Sequence, residues 1–191
     1  MTSLRSDVAR ELLELPSGQP QRTALHDRFD CTIVTPSTIV IANNDGWRVE
    51  VRERPVLVTK EVRAAIERHA VESRPAECCG LLSGADGVIT DLHPLRNDAD
   101  RPETRYSAAP EDLFAATRRI RDTGHSLLGI YHSHPRSVAY PSPSDVEMAF
   151  YPEAAYFIIS LEPMVELRAF RIRDAGIEDL PIALVGNGAR N

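Results

Sequence analysis

The stretch Tyr131-His132-Ser133-His134-Pro135, continued by Pro141-Ser142-Pro143-Ser144-Asp145, decides the reading of this chain. The apolar run that leads into it predicts a strand over 127–134. Residues i and i+2 of a strand share a face, so His132 and His134 point the same way. They can converge on one ion at about 2.0–2.1 Å from each nitrogen. Asp145 lies eleven residues after His134, beyond a proline-bounded loop, and can return as a third ligand. Three protein ligands leave a fourth position for water, which is the catalytic zinc arrangement. Two imidazoles and a carboxylate suit zinc best among common metals, with iron and cobalt as alternatives. The same residues admit a plainer reading. Ser142-Pro143-Ser144-Asp145 is also a helix start, with Ser142 as N-cap, Pro143 as first helical residue and Asp145 as reciprocal capping acid. His-x-His alone is a weak signal, and the two readings compete for one carboxylate. Spacing leaves both open.

Outward from this stretch the chain alternates helices and hairpins. Val56-Leu57-Val58 predicts a short strand, and Thr59 caps a helix over 60–73 whose face is Val62, Ala65, Ile66, His69 and Ala70. His69 on that face reads as a hydrogen-bonded core histidine. Gly80–Gly84 and Val88–Leu92 flank Ala85-Asp86-Gly87, a hairpin signal. A polar loop is expected over 93–108, with His93 in it, and loops of that length are usually functional or disordered. Pro110 starts a second helix to about 123, acidic in its first turn and basic in its last. His125 reads as a loop residue. Residues 142–150 predict a short helix. Residues 154–161 and 164–172 flank Glu162-Pro163 as another hairpin, with a bulge near Ala169 where the apolar phase switches. Upstream, 5–15 predicts a helix, 16–22 a linker, and 37–53 a hairpin about Asn43-Asn44-Asp45-Gly46. Mixed helices and hairpins of this kind indicate an α+β layered domain.

Composition narrows the function classes. The chain has 191 residues and a formal charge of −6, which suits one domain with an appendage. Net acidity argues against a nucleic-acid partner. No apolar run approaches the ~20 residues of a membrane span, and the first sixteen residues lack a signal-peptide core. The expected setting is the cytoplasm. The 3 cysteines, with Cys78 and Cys79 adjacent, form neither a disulfide framework nor a zinc pair. Cys79 is expected to pack as a small apolar residue.

His132-Ser133-His134, seven residues, Ser142, two residues and Asp145 resemble the signature of the JAMM (MPN-plus) zinc metallopeptidases. That signature also has an upstream glutamate, matched here by Glu77 in Pro75-Ala76-Glu77-Cys78-Cys79-Gly80-Leu81-Leu82. Asn97, Arg105-Tyr106 and Pro141-Ser142-Pro143 resemble the bacterial, CysO-cysteine peptidase-like branch that processes ubiquitin-like sulfur carriers. The resemblance covers residues 55–180 and implies a mixed curved β-sheet flanked by helices, as in cytidine-deaminase-like layered folds. It leaves 1–54 as an N-terminal extension and 181–191 as a C-terminal tail. It further implies Zn2+ held by His132, His134 and Asp145, Glu77 as proton carrier, and Ser142 as donor to the oxyanion. The implied substrate is a ubiquitin-like carrier ending in Gly-Gly, from which an amino acid such as cysteine, or a short peptide, is released. Strand addition beside the site suits such a tail, with the 93–108 loop as one wall of the groove.

The rivals are a non-catalytic MPN-type scaffold, an isopeptidase acting on other protein conjugates, and a DNA-associated relative. A scaffold has no chemical need for an intact glutamate and three ligands. A zinc deaminase is excluded, because its H-x-E and P-C-x-x-C motifs are absent. The 37–53 hairpin needs a surface to lean on. That surface is expected to be the core or a second copy of the chain, which makes a homodimer possible.

Overall fold

The computed structural model of the chain describes residues 29–35, 38–43, 48–52 and 55–186, and side chains within 55–186. The helix expected over 5–15 and the linker at 16–22 lie outside the described residues. The chain divides into two compact units, Met1–Glu53 and Arg54–Asn191. The first contains an antiparallel three-stranded sheet of β1 (Phe29–Thr35), β2 (Thr38–Asn43) and β3 (Arg48–Arg52). Within the segment read as a hairpin, β2 and β3 pair with Thr38 opposite Arg52. The added strand β1 is rich in β-branched residues, and its signal was there to be read.

The second unit is built on β4 (Val56–Thr59), β5 (Cys79–Ala85), β6 (Val88–Leu95), β7 (Ser126–His134), β8 (Ala155–Ser160), β9 (Glu166–Arg173), β10 (Gly176–Leu180) and β11 (Ile182–Val185). They form one mixed sheet in the order β10-β9-β8-β7-β5-β6-β4-β11. Three helices accompany it: α1 (Lys60–Glu72), α2 (Pro110–Asp122) and α3 (Pro143–Glu147). The α+β class and the mixed sheet agree with the sequence reading.

Local chemistry explains the boundaries. Thr59 caps α1 by accepting a hydrogen bond from the Val62 N–H at 3.3 Å. Pro110 opens α2, where its missing N–H costs nothing. Asp86 and Gly87, both at positive φ (52° and 77°), turn β5 into β6, as the Asp-Gly pair demands.

Both faces of the sheet are covered. On one face Val62, Ile66 and Ala70 of α1 pack against Val58, Leu82, Ile89, Tyr131, Phe157 and Ile159. On the other, Ala116 and Ile120 of α2 pack against Cys79, Leu81 and Leu95. Beside them Ala139 and Ala149 meet Tyr156, Ile158, Phe170 and Ile172. His69, half-buried on α1, has its Nδ1 2.8 Å from the Tyr131 hydroxyl, the paired core histidine expected.

Four expectations are corrected. There is no bulge at Ala169, since β8 and β9 pair without a register break from Tyr156–Phe170 to Ser160–Glu166. The apolar phase switches because Leu167 and Ala169 face the α1 layer while Phe170 and Ile172 face the opposite one. The register breaks lie instead beside β5, opposite β6 and β7. His93 is in a strand, buried, with Nε2 2.8 Å from Ser83 Oγ, so the loop begins only after Leu95. The helix at 142–150 is a short one that ends at Glu147. Ile182–Val185, within the segment read as a tail, adds a parallel strand beside β4.

Ile66→Ala removes a fully buried side chain at the centre of the α1 layer. It is expected to cost about 2–5 kcal/mol in urea unfolding. Phe114→Ala, on the exposed face of α2, should stay within about 0.5 kcal/mol.

Candidate functional site

The site forms where β7 ends. The Cys79–His132 pairing aligns the start of β5 with the end of β7. Continued two residues outward, that ladder sets Glu77 beside His134. Ser133 faces away from the histidines and locks the alignment. Its Oγ accepts from the Cys78 N–H at 2.8 Å, and its own N–H donates to Cys78 O at 3.0 Å. Glu77 is buried, 7% exposed. Its N–H donates to Pro102 O at 2.6 Å.

His132 and His134 present Nε2 to the same carboxylate. His132 Nε2 lies 3.4 Å from Asp145 Oδ1, and His134 Nε2 lies 3.4 Å from Asp145 Oδ2. The two Nε2 atoms are 3.1 Å apart. Donors around a tetrahedral ion with bonds of about 2.0–2.1 Å stand about 3.3–3.4 Å from one another. This triad is the group of three or more ligand-type side chains that converges among the described residues. His134 Nδ1 is 2.9 Å from Val138 O. A carbonyl only accepts, so Nδ1 carries a proton and Nε2 is the nitrogen that faces the centre.

The competition for Asp145 is resolved by dividing its atoms. Oδ2 accepts from the Ser142 N–H at 2.7 Å, while Ser142 Oγ accepts from the Asp145 N–H at 3.3 Å. This is a reciprocal capping box for α3. It leaves Oδ1 aimed at His132. The cap therefore orients the ligand-type carboxylate. Ser142 Oγ is also 3.0 Å from Ser144 Oγ.

Burial works against charge throughout the site. It would raise Asp145, but hydrogen bonds from His132, His134 and Ser142 hold the carboxyl well below its usual range. Burial depresses His132. At His134 burial also opposes charge, but the bonds to Asp145 and Val138 O outweigh it and raise the ring. Desolvation pushes Glu77 up to about 7, with His134 pulling it down and Asp145 pushing it further up. Tyr106, quoted in the motif without a role, stacks on His132 at 4.5 Å and 24°. Spacing had no means of finding a stacking partner contributed by a distant loop. Cys79 is buried in the α2 layer and Cys78 in the α1 layer; burial raises both thiols, so neither is an activated nucleophile.

A convergent His-His-Asp set beside a buried carboxylate, on a mixed sheet, defines a candidate hydrolytic metal centre. A family model described as prokaryotic homologs of the JAB domain matches residues 59–173, and the chain belongs to that family. A CysO-cysteine peptidase of Mycobacterium bovis is 31% identical over 133 residues, covering 68% of this chain and 91% of its own. A desampylase of Haloferax volcanii is 37% identical over 106 residues, covering 52% of this chain and 76% of its own. A Desulfitobacterium hafniense protein of known solution structure is similar at a TM-score of 0.63 and 34% identity, covering 69% of this chain and 93% of its own. No helix among the described residues is long and apolar enough to cross a membrane.

Two outcomes follow from the geometry. Ser133→Ala leaves the buried Cys78 N–H without its side-chain acceptor and should cost about 1–3 kcal/mol in urea unfolding. Glu77 is raised in the fold from its ordinary 4.5 to about 7. The stability it contributes is therefore fully present below the ordinary value and lost as pH rises through about 7. In chelator, Glu77→Gln should thus gain stability over the parent protein at about pH 8 relative to about pH 4.

Proposed function

We propose that this protein is a zinc-dependent peptidase. Its substrate is a small ubiquitin-like sulfur carrier, and the bond hydrolysed is the one after the carrier's C-terminal Gly-Gly. The released group is an amino acid such as cysteine, or a short peptide, and the setting is the cytoplasm. The observation that most supports this reading is the convergence of His132, His134 and Asp145 beside the buried Glu77. The names of the relatives from Mycobacterium bovis and Haloferax volcanii support the substrate class.

His132 Nε2, His134 Nε2 and a carboxylate oxygen of Asp145 are the atoms that would hold zinc, and the 3.1 Å and 3.4 Å separations among them are near those of donors around that ion. When bound, zinc supplies Lewis acidity that activates a water and polarises the scissile carbonyl. Glu77 takes the proton of the attacking water as the new C–O bond forms. It then delivers that proton to the amine as the C–N bond breaks. A carboxyl raised toward neutrality suits both transfers. The Ser142 hydroxyl donates to the oxyanion, while its lone pair serves the α3 cap. Tyr106 stacks on His132 and holds the 96–109 loop beside the centre, where it forms one wall for the carrier's extended tail.

The test is intact mass of a Gly-Gly carrier bearing a C-terminal cysteine, incubated with the zinc-loaded protein. Loss of the cysteine is expected. Constant mass across several carriers at full zinc occupancy would overturn the reading. Glu77→Gln should keep about one zinc per chain and lose cleavage, whereas His132→Ala should lose both. Ser142→Ala should lower kcat by about 10²–10³, as for other oxyanion donors.

A further inference from the structure

We infer that Asn97 is a positioning residue for Glu77, one whose side-chain amide substitutes for the backbone ladder at the point where the site needs a carboxylate. The inference rests on Glu77 being the proton carrier proposed above.

β5 and β6 pair with Cys79 opposite Leu95. Continued two residues outward, that register sets Asn97 opposite Glu77. On the other side of β5, the β7 register sets His134 beside Glu77. The glutamate therefore lies between the two neighbouring chains just past the ends of their ladders, where no regular strand bond restrains it. Asn97 restores the restraint. Its Nδ2 donates to Glu77 O at 3.0 Å and to Arg105 O at 3.0 Å, with Pro102 O at 3.5 Å. Its Oδ1 accepts from the Ala99 N–H at 3.1 Å and the Ser107 N–H at 3.0 Å. Two donors and two acceptors exhaust what a primary amide has to offer. The partners also fix its orientation, since carbonyls stand on one side and N–H groups on the other.

The pattern excludes both obvious substitutes. An aspartate would keep the contacts to Ala99 and Ser107 but turn an oxygen onto the Glu77 and Arg105 carbonyls. A serine is too short to span to Glu77. The same amide closes the loop that carries Tyr106 onto the His132 ring. Through the Pro102 O bond to the Glu77 N–H, that loop holds the other side of the Glu77 peptide. One side chain thus sets the backbone of the proton carrier and the loop that flanks a ligand-type ring.

The decisive variant is Asn97→Asp, read by hydrogen exchange, zinc content and kinetics. Amide protection over residues 76–79 should fall at least about tenfold, because a native opening free energy is lost locally, while β7 keeps its protection. Zinc should remain near one per chain. Cleavage of the Gly-Gly carrier should lose at least about tenfold in kcat with KM within about threefold. In the Glu77→Gln background the same change should cost no further activity, since coupled residues are not additive. Unchanged protection over 76–79, unchanged kcat, or full additivity with Glu77→Gln overturns the inference. Should the aspartate prevent folding, Asn97→Ser breaks the same bond without an added charge and carries the same expectations. If the parent protein cleaves no carrier, the proposed function fails on its own. The exchange measurement then still decides whether Asn97 holds Glu77.

Discussion

The pairing of Cys79 with His132 is the constraint on which the rest of the site depends. It joins the start of one central strand to the last residues of another, and Glu77, His132 and His134 all lie within two residues of that rung. The rung is reinforced on the α1 side, where Ser133 exchanges two hydrogen bonds with Cys78. On the opposite face the histidines are free to converge. Because side chains alternate along a strand, the residue between two ligand-type histidines cannot itself reach the centre. Here that residue tightens the strand pair. Gly80 continues the same logic, since a Cβ there would run into the Tyr131 ring and the His93 carbonyl. Close approach of β5 and β7 needs a residue with no side chain next to the rung.

Asp145 shows how a short helix contributes more than its length. α3 has five residues, too few to hold itself in water. Its capping box turns that weakness into geometry. Ser142 and Asp145 satisfy each other's backbone N–H groups, so the carboxylate is fixed by the same bonds that start the helix. The cap and the ligand set are one arrangement seen from two sides. That is why the sequence pattern fitted both readings and spacing alone separated neither.

The layered α+β architecture was legible because its signals were local. Thr59 before an amphipathic run, Pro110 before another and Asp86-Gly87 between two strands each carry their own physical reason. The i, i+2 spacing on a strand places His132 and His134 on one face; it leaves Asp145 open between ligand and helix cap, and the resemblance to the JAMM signature is what joins all three. The failures were non-local. Nothing in residues 164–172 distinguishes a bulge from a strand apolar on both faces, since that depends on the layers packed against it. His93 reads as loop in isolation because its partner, Ser83, lies on the neighbouring strand. β11 was missed because four residues near the end of the chain become a strand only beside β4. The role of Tyr106 was invisible for the same reason.

The close approach of these groups sets the charges of the site. Asp145 is held ionised by two imidazoles and a backbone N–H, while Glu77 beside it is pushed toward its neutral form. Two carboxylates in one desolvated corner repel, and burial penalises each charge separately. In a site with no cation, the least costly arrangement keeps one carboxylate charged and bonded and the other protonated. A divalent cation in the His-His-Asp set changes this balance, because its own charge is then the largest in the site. It offsets the Asp145 charge directly and lowers the cost of ionising Glu77. Metal and proton would therefore compete for one electrostatic environment, and with a cation held there Glu77 would be left ionised, in the form that can accept a proton. The mutual crowding of these groups is unfavourable for folding taken alone, and the proposed metal and proton chemistry would draw on it.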